Sequence, residues 1–493
     1  MQRGMSVRVD QEFPTHSVAV RGDERLAVAL VAATAAFALA AFAPQLLNDG
    51  DTYLHIAAGT RMLMQHAISF RDPFSYTFAG APWQAHEWLA EVVMAAAFKA
   101  GGWSGLVLLF ATAAGAVSGL LAHHLGRWLD WRAQALAMVL ALSCMTASLL
   151  ARPHLLALPL LEIWTAELVL ARRDRRAPTL WLLPVMVIWV NVHGTFFVGL
   201  GLCALLALEA VIAGEARRDE LRAWAVFGAA ALLAALCNPH FVTGLLFPVT
   251  LVGTTGLANV GEWRPLDLSH PQPLEFVLLA TIYFAVTYGV RIPASRALMV
   301  LGLVHMALLH QRHQIIFAVV APLLLAPALG ENFARATATA ARRPHFLAAG
   351  LSIGTLMLLM ALAAGRMFLP VTRSDGPVAP ISALERVPAS LRSQPVLNDY
   401  SFGGYLIFKG VPTFIDSRAE LFGDDFLHRY AQLIEPNPAA VKAVIRTYHI
   451  RWTILGAHSP IVSVMDSLAG WHRLYADDFA IVHIQDNYAR KHD

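Results

Sequence analysis

Asp49 and Asp51 sit at the end of an apolar run, in the stretch NDGDTYLHIAAG at 48–59, and His55 follows one helical turn later. Carboxylates and an imidazole at that spacing are groups that take a proton from a hydroxyl or an amine. A second acid and imidazole, His86 and Glu87, lie in HEWL at 86–89. More such groups recur at short connections between apolar runs. They are Arg152 and His154 in RPH, His193 in NVHG (191–194), Glu262 in GEWRPLDL (261–268), and Arg312 with His313 in QRHQ (311–314). Arginines grip phosphate oxygens in a bidentate way, so Arg152 and Arg312 suit an anionic headgroup. Asp49, Asp51 and Glu262 are oxygen donors of the kind that hold a divalent cation such as Mg2+ or Mn2+.

Each of these residues also has a structural reading. Asp49 or Asp51 can cap a helix, Glu87 can cap the next one, and Asn191 with His193 can satisfy helix-end carbonyls. Glu262, Arg264 and Asp267 can form a surface salt-bridge set, and Asp72 in DPFSYT can start a turn. Capping accounts for one aspartate but not for His55, Asp72, His86 and Glu87 in one loop. Ionisable groups at membrane depth point to function by default.

The elements that must position these groups are membrane helices. The chain has 493 residues, of which 57% are hydrophobic and 14% charged, about half the charged share of an ordinary soluble domain. Mean hydropathy is +0.53. Apolar runs of about eighteen residues or more recur, which indicates a polytopic α-helical membrane protein of about eleven or twelve membrane helices. A net charge of +3 offers no electrostatic footprint for nucleic acid. Cys144, Cys203 and Cys237 all fall in apolar runs and read as small buried hydrophobes. No short apolar core with a cleavage site marks a signal peptide, and Leu26–Leu47 reads as a retained first helix. Further spans are expected at 103–124, 133–151, 155–171, 179–192, 195–213, 223–237, 274–290, 297–310, 314–329 and 345–368. The apolar stretch 88–100 is short and carries Glu91 and Lys99, so it reads as an interfacial or partly inserted helix.

Basic connections lie between alternate spans: GRWLDWR (126–132), RRDRR (172–176), EARRDELR (215–222), RIPASR (291–296) and ARATATAARR (334–343). The positive-inside rule places them in the cytoplasm together with a tail at 1–25. The other connections then face outward, including a long first loop at 48–102 within a membrane domain at 26–369. Nearly all the unusual polar residues fall on this outer side. A transporter would hold them near mid-membrane instead. After about Pro370 the composition turns mixed and polar. PVLNDY, VPTFID and RWTIL read as strands, DDFLHRYAQLI and AAVKAVIRTYHI as helices, and WHRLYADDFAIVHI as a hairpin, which gives a small outer α/β domain at 370–493. In the first loop, Ile56, Ala57, Met62 and Leu63 recur at helical spacing, as in a helix lying along the membrane surface.

This plan resembles that of the GT-C glycosyltransferases, multispanning enzymes that use polyprenyl-phosphate-linked sugars. DTYLHIAAGTRML followed by DPFSY looks like the first-loop motif of the dolichyl-phosphate-mannose mannosyltransferase and aminoarabinose transferase branch. The resemblance implies that Asp51 is the catalytic loop acid, and HEWL stands where that branch has His-Pro-Pro. NDYSFGGYLIFKGVPTFIDSRAE (398–420) is similar to the layout around the Trp-Trp-Asp-Tyr-Gly motif of oligosaccharyltransferase catalytic subunits. Asp399, Tyr400, Gly403 and Asp416 match in order, which implies acceptor binding, but Leu397 and Asn398 replace the tandem tryptophans. RPH also stands where those enzymes carry an acidic pair.

The expected function is transfer of a sugar from a polyprenyl-phosphate carrier to a cell-envelope acceptor, at the periplasmic face of a bacterial inner membrane. Asp51, Asp49, Glu87 and Glu262 are the catalytic candidates. His55, His86, Arg152, His154, His193, Arg312, His313, Asp399, Tyr400 and Asp416 are the candidates for binding substrate. Membrane lipid is a further partner. Two alternatives stay open: a transporter or flippase of lipid-linked precursors using Glu162, Glu167 and Glu209, and a non-enzymatic membrane-anchored assembly protein.

Overall fold

The computed structural model describes residues 22–146, 148–214, 217–254, 261–334 and 345–486. Most of the 1–25 tail, the start of EARRDELR, nearly all of ARATATAARR and the last residues of 370–493 lie outside the described residues.

Helices dominate the first part of the chain: α1 (Gly22–Phe42), α2 (Gly50–Gln65), α3 (Trp88–Leu125), α4 (Trp131–Thr146), α5 (Pro153–Arg173), α6 (Leu182–Val192), α7 (Phe196–Ile212), α8 (Arg218–Ala235), α9 (Phe241–Val252), α10 (Pro273–Tyr288), α11 (Ala294–Leu309), α12 (Gln314–Ala334) and α13 (His345–Phe368). Among the described residues, five stretches are long and apolar enough to cross a membrane: Asp23–Phe42, Trp88–Leu125, Pro153–Arg173, Gln311–Asn332 and Ala348–Phe368. Five shorter apolar helices, α6, α7, α9, α10 and α11, belong to the same bundle, as do α4 and α8. The chain is a multi-pass helical membrane protein.

Three details depart from the sequence expectation. The connection 238–273 contains α9, a helix of 12 residues and so roughly 18 Å long. The stretch 88–100 is the first half of α3. It is divided from the 103–125 half by Gly101 (φ −141°) and Gly102 (φ +56°), and the second of these angles favours glycine. Cys144 and Cys203 are buried as expected, but Cys237 lies just past the end of α8 and is exposed.

The bundle core is built on aromatic packing. Trp164 of α5 lies 6.3 Å from Trp189 of α6 and 5.5 Å from Phe227 of α8, centroid to centroid. Gly199 of α7 lets these helices approach, because a Cβ there would come within 2.5 Å of the Trp189 ring. The Trp164 indole N–H donates to the buried Gly199 carbonyl at 2.8 Å. At the end of the bundle away from α2, Glu209 takes a bidentate bond from Arg296 at 2.6 and 3.0 Å and also faces Arg172.

The C-terminal part holds a four-stranded sheet in the order β1 (Val396–Asn398), β2 (Trp452–Gly456), β4 (Ala480–Gln485), β3 (Trp471–Ala476). β1 and β2 are parallel, and the other pairs are antiparallel. The parallel pair requires a long crossover. It runs through α16 (Gly403–Phe408), α17 (Ala419–Ile434) and α18 (Pro438–Thr447), while α14 (Ile381–Arg386), α15 (Ala389–Arg392) and α19 (Ile461–Asp466) flank the sheet. VPTFID is not a strand. Its backbone is satisfied by a side chain and by the first loop instead. Asn398 accepts from the Phe414 N–H and donates to the Ile415 carbonyl, and the Tyr76 N–H donates to the Thr413 carbonyl.

α2 joins the two parts. Its start is capped by Asp49 (φ −147°), whose carboxylate accepts the Asp51 N–H at 2.7 Å. Tyr53 is buried edge-on against Trp103 of α3 and against Tyr405 and Phe408 of α16, at 5.3 to 5.5 Å. Such aromatic pairs contribute about 0.5–1.5 kcal/mol each beyond their area. Ile56 and Met62 are buried as the helical spacing predicts, but Leu63 is exposed because the helix packs through another arc. α2 is therefore clamped between α3 and α16.

A carboxylate, guanidinium and imidazole site at one end of the bundle

A cavity of about 630 Å3 opens beside α2. Asp51, Leu54 and His55 of α2 line it, with His86 and Glu87 from the loop before α3, Arg152 and His154 at the start of α5, and His193 from the α6–α7 turn. Glu262, and Arg312 with His313 from the α11–α12 turn, complete its polar lining. Apolar side chains line the cavity as well, among them Phe197, Val198, Val249, Leu251, Met306 and Leu309. Polar groups from connections scattered over 260 residues of sequence thus share one cavity, as their common side predicted.

Arg152 organises the acids. Its Nε lies 2.5 Å from Asp49 Oδ2, and its Nη1 lies 3.1 Å from Asp51 Oδ2 and 2.5 Å from Glu262 Oε2. Arg312 Nη1 approaches Glu262 Oε1 at 3.1 Å, and its guanidinium carbon stands 4.5 Å above the Trp263 ring. Glu262 pairs inward with these two arginines, so the expected Glu262, Arg264 and Asp267 set does not form. Burial raises the Asp51 carboxyl above the usual aspartate range; Arg152 opposes this, and the charges of Asp49 and Glu262 add to it. Glu262 is pushed up by burial but pulled lower overall by Arg152 and Arg312. Of these two carboxylates, Asp51 is accordingly the more basic.

An imidazole cluster faces the acids. His55 Nδ1 lies 3.1 Å from Glu91 Oε1, and His55 Nε2 lies 3.6 Å from Glu87 Oε2. His86 and His193 present Nε2 to Glu87 Oε1 at 3.6 and 3.5 Å. Burial works against a charged His55, but the bond to Glu91 and the charges of Glu87, Glu91 and Asp51 raise it to about 9. Burial holds His193 down to about 3, so it is neutral. Burial opposes the Glu87 charge, yet His86, His193 and His55 hold its carboxyl well below the usual glutamate range. His154 and His313 are oriented by backbone carbonyls, Ser148 at 3.0 Å and Met306 at 3.3 Å. Asn191 bonds the Val187 and Cys237 carbonyls, as the helix-end reading predicts.

The C-terminal candidates sit elsewhere. Asp399 caps a short turn, accepting from the Ser401 N–H and hydroxyl, and its other oxygen accepts the Gly456 N–H. Asp416 is fully buried in an ion pair with Arg418. Neither residue lines the cavity, nor does Tyr400, whose hydroxyl is held far above its usual range by burial and then by the charge of Asp51. Asp72 caps its turn through the Phe74 and Ser75 N–H groups and also binds Arg418 at 2.7 Å. The C-terminal residues that do reach the cavity are Ser417 to Glu420. Glu420 accepts the Trp83 indole N–H at 3.2 Å, and burial raises its carboxyl. Sequence reading missed Arg418 and Glu420, although DSRAE at 416–420 alternates acid, base and acid.

Asp49, Asp51 and Glu262 do come together, as a metal site would need. The oxygens that face one another, however, are taken up by the Arg152 guanidinium. Among the described residues, no group of three or more His, Cys, Asp or Glu side chains is arranged to hold a metal ion. The residues present therefore do not fit an oxygen-ligand cation site.

No family model and no curated protein matches the sequence. Solved structures do match. The archaeal oligosaccharyltransferase AglB from Archaeoglobus fulgidus, in complex with an inhibitory peptide and a dolichol-phosphate, aligns at 12% identity and TM-score 0.54, over 88% of this chain and 69% of that one. The apo form of the Archaeoglobus fulgidus oligosaccharyltransferase gives 13% identity and TM-score 0.53 over the same shares. ArnT from Cupriavidus metallidurans, bound to undecaprenyl phosphate, gives 12% and 0.49 over 93% of this chain and 97% of that one. The chain shares its fold with the Archaeoglobus fulgidus oligosaccharyltransferase.

Proposed function

We propose that this chain is a membrane glycosyltransferase that moves a sugar from a polyprenyl-phosphate donor to an acceptor at the membrane surface. The observation that carries this reading is Asp51: a half-buried carboxylate with raised basicity that faces a cavity lined by arginines and by apolar side chains. The dolichol-phosphate in the AglB complex supports a lipid-phosphate partner for the same fold.

In the reaction, the acceptor O–H or N–H gives its proton to the Asp51 carboxylate as its oxygen or nitrogen bonds to the sugar anomeric carbon. The bond from that carbon to the phosphate oxygen breaks, and its electron pair leaves on the phosphate. Arg152 and Arg312 meet the phosphate charge, which is the placement that stabilises a leaving oxyanion. The lipid chain lies along the apolar side chains of α7, α9 and α11. Asp49 and Glu262 position Arg152, while Glu87 holds His55, His86 and His193 in place. His154 and His313 present imidazole edges to the donor, and Tyr400 backs Asp51. Asp399 and Asp416 shape the segment that carries Ser417 to Glu420 into the site, where the acceptor enters. In a bacterial inner membrane with the basic connections in the cytoplasm, the cavity and the C-terminal part face the periplasm and a cell-envelope acceptor.

The transporter reading gains little support. Glu162, Glu167 and Glu209 are each paired, with His124, Arg176 and Arg296. The deciding experiment is transfer from a labelled polyprenyl-phosphate sugar by membranes containing wild-type protein or Asp51→Asn at equal expression. Transfer by the wild type and none by the variant supports the reading, and equal transfer by both refutes it.

A further inference from the structure

We propose that the Arg152 guanidinium is the resident cation of this site, occupying the place among Asp49, Asp51 and Glu262 that a divalent metal ion would take. The proposal rests on the transferase reading only for its catalytic consequence; the occupancy itself is a matter of geometry. Three carboxylates, two at the start of α2 and one from the distant 253–272 connection, each direct an oxygen at one guanidinium, at 2.5, 3.1 and 2.5 Å. An ion such as Mn2+ needs carboxylate oxygens at roughly 2.0–2.6 Å. It would have to use these oxygens while lying against a positive group, so the two cations exclude each other.

The charges also come within one unit of balance without an ion. Asp49, Asp51 and Glu262 bring three negative charges, and Arg152 with Arg312 returns two positive ones. A metal ion added to this set would make the site cationic, which would remove the basicity of Asp51. The guanidinium is suited to the task because its planar fork serves several oxygens at once and it never loses its proton. Arg152 also lines the cavity, so the same group that orders the acids faces the donor phosphate. It is held in place twice over: it precedes Pro153 at the start of α5, and its own N–H donates to the Leu150 carbonyl. The consequence is sugar transfer that needs no divalent cation.

The test uses full-length protein in detergent, stripped with EDTA and titrated calorimetrically with MnCl2. Wild type is expected to show no stoichiometric Mn2+ binding at millimolar concentration and no change of melting temperature on chelation. Arg152→Ala uncovers the three carboxylates and is expected to bind Mn2+ at least tenfold more tightly than wild type. Arg152→Lys, which keeps a charge, is expected to stay as weak as wild type. One tightly bound Mn2+ per wild-type chain, with a melting temperature that falls on chelation, would overturn the proposal, whether or not Arg152→Ala folds. Transfer that is lost on chelation and restored by Mn2+ would overturn it while leaving the transferase reading intact. Absence of both transfer and Mn2+ binding would refute that reading and leave the resident cation standing.

Discussion

Gly404 of α16 meets Gly50 at the start of α2 so closely that a Cβ on Gly404 would lie 2.0 Å from the Gly50 carbonyl oxygen. Asp51 is the next residue, so this contact sets where the proposed catalytic carboxylate stands. Gly404→Ala should lower stability by about 1–3 kcal/mol, the usual cost of overpacking, and should reduce transfer by moving Asp51. Gly354→Ala in α13, where nothing lies within 4 Å, is the control and should cost neither. Melting curves and initial rates on the same preparations check both.

Asp51 and Asp49 should separate cleanly. Asp51→Asn removes the base and should lower the rate by about 100-fold or more, a normal effect for a general base. Asp49→Asn keeps a good helix cap but loses the charge that holds Arg152 Nε. It should retain measurable transfer, with a raised donor KM. Steady-state kinetics with both variants would reveal a wrong assignment if the order reversed.

The acid side of the pH profile should follow Asp51. Its carboxyl is raised by burial, so protonation removes the base at a pH above the ordinary aspartate value of about 4. The rate should fall as the pH drops through that raised value. Glu262 is lowered, so it stays ionised there and cannot be the source. Any residual activity of Asp51→Asn should lack this limb.

The alkaline side concerns stability. His55 is raised to about 9 in the folded chain, from an ordinary 6.5. Its stabilisation by Glu91 is therefore complete below about 6.5 and is lost as the pH rises through about 9. Thermal melts between pH 6 and 10 should show the decline, and His55→Gln should flatten it.

Arg418→Ala should be the most disruptive single change in the C-terminal part. Arg418 reaches Asp72 through Nη1 at 2.7 Å and grips Asp416 through Nε and Nη2, also at 2.7 Å. Its guanidinium also stands 4.9 Å from the Trp83 ring. Removing it strands two buried carboxylates, at a cost of about 3–5 kcal/mol. Faster proteolysis of the 66–86 segment in the variant would confirm that the first loop has come loose. Unchanged cleavage and melting would refute the role.

Much of this was legible in the sequence because hydrophobic runs and charge asymmetry are strong local signals. They gave the membrane class, most helix positions and the common side of Asp51, Arg152, Glu262 and Arg312. The small sheet followed from alternating strand and helix patterns. VPTFID misled because its β-type residues are satisfied by Asn398 and the first loop, a tertiary fact invisible in a six-residue window. α9 was missed because its 12 residues fall below spanning length. The motif match suggests substrate binding for Asp399 and Asp416, but it conveys order and not direction, and neither lines the cavity. Both turn away to brace backbone and Arg418, while Glu420, four residues past Asp416, lines the cavity.

The bond between Asp72 and Arg418 joins residues 346 positions apart. During synthesis at about 5–20 residues per second, the first loop waits for tens of seconds before its partner leaves the ribosome. Until then Asp72 has no guanidinium beside it, and the wall formed by Ser417 to Glu420 is missing. On the transferase reading proposed above, activity would mature late, with completion of the polypeptide, and half-made copies would not consume lipid-linked sugar.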